Sequence, residues 1–349
     1  MATTTVQAAE GRKALAIRQA LGRGLGWLIL GLAGLWLVVN LIEAPTRVIT
    51  LIFNGLNNGS LFALIALGYT LVYGIIELIN FAHGDLFMLG TVFASWFMVT
   101  LLGLTTVGAG GWLGLVVGLF ATAAVCAGLN VGAERLAYRR LRRAPKLAAL
   151  ITAVGVSFIF QAMGIFFNGS APRQWPKVIP AGGVEIGGVT LTYNTIVVLA
   201  ITIPSLLILN RIVAKTRQGK AMRATAQDQD AARLMGINVD RTIAFTFALG
   251  GAMAGIAGLL WMETVGTTRY DLGFQLGLIA FTAAVLGGIG NLNGAVLGGL
   301  LIGLVQSLND GAPYGLGQKW SQTTVFTILI LVMVFKPEGL LGKPTIEKV

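Results

Sequence analysis

Residues 48–76 read VITLIFNGLNNGSLFALIALGYTLVYGII, a run with no Asp, Glu, Lys, Arg or His. A helix rises about 1.5 Å per residue, and about 20 apolar residues cross the hydrocarbon core of a bilayer. The run is long enough to span a membrane. It has company: uncharged runs also cover 24–42, 86–133, 147–172, 186–210, 242–262, 272–309 and 320–335. The runs 86–133 and 272–309 are too long for one crossing and divide at the Gly, Asn and Thr clusters of 103–111 and 287–294. The expectation is an all-α polytopic transmembrane bundle of about ten spans, eight at the least. Composition agrees. The chain is 55% hydrophobic and 11% charged, where soluble domains carry roughly 25% charged residues, and its mean hydropathy is +0.80.

The net charge of +11 would suit a nucleic-acid binder, but in a membrane protein the position of each cation matters more than the sum. If the N-terminus is cytoplasmic and the spans alternate, the cations of 12–23, 135–146, 211–241 and 336–348 lie inside. Only Arg47, Arg173, Lys177, Arg269 and Lys319 of the 25 Lys and Arg then lie outside. Trp112, Trp175, Trp261 and Trp320 fall near the outer boundary, where indoles prefer to sit. No nucleic-acid partner is expected; the partner of this surface is the lipid bilayer. The first apolar run follows Arg12, Lys13, Arg18 and Arg23 but is longer than a signal-peptide core and lacks an Ala-x-Ala cleavage site, so it reads as a retained helix. The lone Cys126 lies in an apolar span, which excludes a disulfide framework or thiolate metal cluster within the chain.

Small residues recur at helix-packing spacing, as at Gly110, Gly114 and Gly118, Gly251 and Gly255, Gly294 and Gly298, and Gly299 and Gly303. One external segment, 169–192, carries Pro172, Pro176 and Pro180 and then VEIGGVTLT at 184–192, which predicts a β-hairpin turning at Gly187-Gly188. Two basic segments, 134–146 and 211–241, face the cytoplasm, and the second is long enough to hold a helix. The expected division is a cytoplasmic tail over 1–23, an additional helix over 24–42, a permease domain over 48–340 and a cytoplasmic tail over 341–349.

Catalytic motifs are missing from the sequence. It has no Gly-x-x-x-x-Gly-Lys-Ser/Thr phosphate cradle, no Gly-x-Ser-x-Gly elbow, no His-Glu-x-x-His and one histidine in all, His83. Neither a catalytic nor a metal site is expected. Ionisable residues near spans are costly and often mark substrate pathways. The densest set lies in ELINFAHGD at 77–85. If that stretch is helical, Asn80, His83 and Gly84 share a face, where they either line a pathway able to contact a zwitterion or bridge helices at the membrane edge. A second irregular stretch, LGGIGNLNG at 286–294, reads either as a broken helix, with Asn291 and Asn293 on the pathway, or as a turn between two spans.

The segment GKAMRATAQDQDAARLMGIN at 219–238 contains Asp230-Ala231-Ala232, three residues and then Gly236. It resembles the acidic-Ala-Ala-x-x-x-Gly element by which bacterial ABC importer permeases dock a short coupling helix into ATPase subunits, although the later Leu-Pro of that element is missing. Alanines keep such a helix slim, and glycine permits an abrupt end. With Asn54-Gly55-Leu56, GSLFALIALGYTLVYG at 59–74, INFAHG at 79–84 and AVLGGIGNLNGAVLGG at 284–299, the chain from 48 to 340 resembles the branched-chain amino-acid ABC permease family, closest to its LivH-type subunit. The helix at 24–42 resembles nothing diagnostic.

That resemblance implies a multi-pass protein of the bacterial inner membrane with both termini cytoplasmic. It implies a second, LivM-type permease, two LivG/LivF-type ATPase subunits that use ATP and Mg, and an extracytoplasmic substrate-binding protein. No cofactor would be bound by this chain. The coupling segment, 215–240, would act through Arg223, Asp230, Ala231, Ala232, Gly236 and Ile237, and the cargo would be branched-chain or related neutral amino acids moved by alternating access. Urea or a short amide is the alternative cargo. An ion-coupled secondary transporter using Glu77, His83 and Asp85 is the alternative class.

Overall fold

A computed structural model describes residues 31–78, 80–103, 108–142, 144–175 and 178–342. The expected tail over 1–23, residues 24–30 of the leading helix and residues 343–349 lie outside these.

In chain order the helices are α1 (Gly31–Glu43), α2 (Pro45–Ile76), α3 (Ala82–Ser95) with a π-helical extension Trp96–Leu101, and α4 (Ala109–Ala133) with a π segment Glu134–Tyr138. There follow α5 (Arg139–Leu141), α6 (Lys146–Asn168), α7 (Tyr193–Lys215), α8 (Arg217–Gln227), α9 (Gln229–Leu234), α10 (Val239–Val265), α11 (Leu272–Gly287), α12 (Leu292–Gly311) and α13 (Ser321–Phe335). Among the described residues eight helical stretches are long and apolar enough to cross a membrane, and α1 and α11 are shorter apolar helices. The all-α transmembrane bundle expected from the apolar runs is the fold observed, and the protein is a multi-pass membrane protein.

The centre is built from α2, α3 and α10, whose side chains are mostly buried, while α4, α6, α7 and α13 surround them. The outer helices turn large apolar groups outward, among them Phe120, Phe158, Phe166 and Leu207. Such a surface would aggregate in water and is suited to lipid.

Lipid provides no hydrophobic drive for helices to associate, so close backbone approach must supply the packing. The longest seam, α2 against α12, shows how the glycines do this. A β-carbon at Gly55 would lie 2.8 Å from Leu304 Cα, and one at Gly59 would lie 2.8 Å from Leu300 Cα. From the other side, Gly299 sits against Ala63 and Gly303 against Gly59. The helix α10 approaches α4 in the same manner through Gly251 and Gly255.

Loops sort to two ends. At one end Arg173 pairs with Thr268 between β1 (Arg173–Gln174) and β4 (Thr267–Thr268), and Trp175 N–H donates to Gly266 O at 2.9 Å. At the other, Arg142 pairs with Asp240 at 2.6 Å, and Leu340 N–H donates to Leu286 O at 2.8 Å. These ties join segments that the charge pattern assigns to the same side of the membrane. The expected hairpin is present as β2 (Gly183–Ile186) and β3 (Val189–Thr192), with Gly187 and Gly188 at φ 60° and 80°. Two successive positive φ angles are what a type I′ turn requires.

Of the two readings of 286–294, the fold has the turn. The helix α11 ends at Gly287, Gly288 and Gly290 take φ 105° and 90°, and α12 starts under an Asn291 cap. Gly298 then packs on Ala283, closing an antiparallel hairpin. The interruption therefore lies between two helices and not within one.

A Gly303→Val variant should lose about 1–3 kcal/mol through forced separation of α2 and α12, seen as a lower melting temperature in detergent. Gly128→Val, where nothing lies within 4 Å of a β-carbon, should stay within about 0.5 kcal/mol of wild type. Equal losses would contradict the packing account.

Candidate functional site

The first turn of α3 carries the buried polar residues that the sequence singles out. Phe81 is the N-cap of α3, so Asn80 lies ahead of the helix and the expected i, i+3, i+4 face does not form. Asn80 Oδ1 accepts a hydrogen bond from Tyr138 Oη at 2.7 Å. The His83 ring stands edge-on to Tyr69 at 4.9 Å between centroids and fills the space left by Gly68 on α2. Gly84 backs instead onto Gly273 and Gly277 of α11. The three residues are neighbours that point at different helices.

Asp85, 0% exposed, accepts from Ser157 Oγ and from Gln161 Nε2, the latter at 3.3 Å. A carboxylate out of water needs such donors, and they pin α6 to α3. Ser157 and Gln161 were not singled out from the sequence, although their i, i+4 spacing in an otherwise apolar helix was readable.

The two asparagines of 286–294 lie elsewhere. Asn291 accepts from Gly294 N–H at 3.1 Å and donates to Leu341 O at 2.7 Å, which commits its amide to capping α12 and holding the segment after α13. Asn293 accepts from Asn210 Nδ2 at 3.2 Å and borders an apolar groove of about 410 Å³ between α7 and α12. Neither joins the Asn80–His83 cluster.

The stretch 217–236 forms a two-helix elbow. Thr216 caps α8 by accepting from Gly219 N–H at 3.0 Å. Arg223 donates to the carbonyls of Val213 and Ala214, the last turn of α7, so a cation closes a helix C-terminus. Asp228 caps α9 by accepting from Asp230 N–H at 2.9 Å and Ala231 N–H at 3.0 Å. Gly236 ends α9 at φ 81°, the left-handed conformation in which glycine avoids a side-chain clash.

Burial divides the expected coupling residues. Ala232 is 4% exposed and Ile237 packs on the core, while Asp230, Ala231, Arg223 and Gly236 face outward. Two residues not anticipated from the sequence stand out: Leu234 is 88% exposed and Met235 83%. On a polar segment between membrane helices, an exposed apolar pair marks a surface made to be covered. Its signal was two large apolar residues wedged between Arg233 and Gly236.

The elbow leads directly into α10, whose N-cap Asn238 accepts from Arg241 N–H at 3.0 Å. Behind it, buried Glu134 receives Arg139 at 3.0 Å and also Arg142, which reaches on to Asp240 at 2.6 Å. The segment after α4 is thereby tied to the start of α10.

The family model described as "Branched-chain amino acid transport system / permease component" matches residues 51–334. The high-affinity branched-chain amino acid transport system permease protein LivH of Escherichia coli (strain K12) is 39% identical over 303 residues, covering 85% of this chain and 96% of that protein. The permease protein BraD of Pseudomonas aeruginosa is 38% identical over 302 residues, with the same two shares of 85% and 96%. A probable branched-chain amino acid transport permease protein LivH of Methanocaldococcus jannaschii is 29% identical over 296 residues, covering 81% of this chain and 89% of its own. With a glycine-packed bundle, a capped elbow between α7 and α10 and a family match across nearly all of the described fold, this chain belongs to the branched-chain amino acid transport system permease family.

Proposed function

We propose that this chain is the membrane-spanning subunit of an ATP-driven importer of branched-chain or related neutral amino acids in a bacterial inner membrane. The observation that carries the ATP-driven part is the elbow 217–236, with Leu234 and Met235 exposed at its tip, Arg223 bonded to the last turn of α7 and its end running on into α10. A chain whose sequence has no phosphate-binding loop needs a separate motor, and a rigid, capped elbow with an apolar tip is a fitting handle for one.

The excess of Lys and Arg at the same end as the elbow orients it toward the cytoplasm by the positive-inside rule. The hairpin at 183–192 and the β1–β4 pair then face outward, toward a substrate-binding protein. A second permease completes the pathway, two ATPase subunits hold ATP and Mg, and this chain itself carries no cofactor. The helix α10 transmits the motion, because it follows the elbow and packs on α2, α3 and α4.

Two experiments test this. In the reconstituted transporter, Gly236→Pro or Ala231→Trp should leave the chain inserted but reduce substrate-stimulated ATP hydrolysis by at least about tenfold, an effect of about 1.4 kcal/mol. Unchanged turnover would mean that the elbow is not the docking element. In cells, uptake should persist under a protonophore while ATP is maintained and should stop when the partner ATPase gene is deleted. The opposite pair of results would point to an ion-coupled transporter.

A further inference from the structure

At the end of the bundle opposite the elbow, α2, α10 and α12 line an open polar cavity of about 360 Å³, within the range of small-molecule sites, about 300–1,000 Å³. Asn54, Asn57 and Asn58 line it from α2, Thr264 from α10 and Asp310 from α12. The three asparagines stand at i, i+3 and i+4, on one helical face. Polar groups at this density are costly in a membrane helix and call for a partner.

The cavity is richer in acceptors than in donors. Thr264 Oγ1 already donates to Leu260 O at 2.9 Å, and Ser307 Oγ, also at its wall, donates to Leu51 O at 2.7 Å, so both hydroxyls turn lone pairs to the space. Asp310 is steadied by Asn309 Nδ2 at 3.1 Å, and among the described residues no ion pair reaches it. Asn57 is only 6% exposed, and its Oδ1 has no hydrogen-bond partner. Among the described residues no Lys or Arg lines the cavity. A free anion would find no countercharge here, whereas a primary ammonium would find a carboxylate and an unpaired amide oxygen. Asn54 and Asn58 hold donors for a neighbouring carboxylate.

We infer that this cavity is the outward-facing binding site of the pathway for a zwitterionic amino acid, with Asp310 and Asn57 holding the ammonium, Asn54 and Asn58 the carboxylate, and Leu51 flanking the side chain. The site rests on the proposal that the chain passes amino acids, and it names the residues that would recognise them on entry.

The test uses the complete transporter in proteoliposomes with Thr264→Cys, at the wall but outside the four residues that hold the ligand; Cys126 of this chain is buried, and labelling of the partner subunits is subtracted with the transporter that lacks the new cysteine. Leucine should slow labelling of the new thiol by a membrane-impermeant methanethiosulfonate about fivefold or more, and 4-methylpentanoate, the same skeleton without the ammonium, should not. Adding Asp310→Asn should remove the leucine effect, and Asp310→Glu should restore part of it. If the vesicles import leucine yet leucine gives no protection, or if 4-methylpentanoate or Asp310→Asn protects equally, the site is wrong and the transport function stands. If vesicles with the unsubstituted transporter import no leucine, the functional proposal falls and takes the site with it.

Discussion

The fold depends on the contact of bare helix backbones in a solvent that does not push helices together. Along α2 and α12 the glycines at 55, 59, 299 and 303 remove the side chains that would hold the helices apart. What holds the seam is dispersion between closely fitted backbones. That constraint explains why glycine, a poor helix former in water, numbers 48 in this chain. It also leaves the interior with little slack, so a displacement of one central helix must be taken up by its neighbours.

Polar groups are used sparingly and as ties between particular helices. Asp85 with Ser157 and Gln161 joins α3 to α6, Asn130 with the Phe247 carbonyl joins α4 to α10, and Glu134 with Arg142 and Asp240 joins the segment after α4 to the start of α10. Two of these three ties end on α10. The elbow that precedes α10 is fixed on its other side by Arg223 to the last carbonyls of α7. In the proposed function, force applied at Leu234 and Met235 would enter the bundle through α7 and α10 together, and α10 borders α2, one wall of the polar cavity at the far end. A chain of packed helices therefore runs from the elbow to that cavity.

Much of the fold was legible because one physical signal, the absence of charge over about 20 residues, marks a span almost directly. The hairpin was legible for a local reason, since Gly187 and Gly188 supply the positive φ angles that its turn needs. That the basic stretch 211–241 holds helix of its own was legible from its length, whereas its caps, Thr216 and Asp228, show only in the fold. The candidate site was less so. Asn80, His83 and Gly84 were expected on one face, but where α3 begins decides that, and Phe81 starts it one residue too late. The partners of Asp85 lie 72 and 76 residues away on α6, and only tertiary packing brings them together. At 286–294 the same glycines fit a break or a turn, and the choice rests on Gly298 meeting Ala283 across the hairpin. Leu234 and Met235 stand out locally as two large apolar residues between Arg233 and Gly236, but their exposure depends on how the chain leaves the bundle after α9.

The central claim is that the elbow is the handle of a separate nucleotide-driven motor. A photo-crosslinking amino acid placed at position 234 in native membranes tests it most directly. The account predicts a covalent adduct with an ATPase subunit whose yield changes when ATP is trapped. An adduct with an extracytoplasmic protein, or none with any ATPase in a transporter that is active, would contradict it.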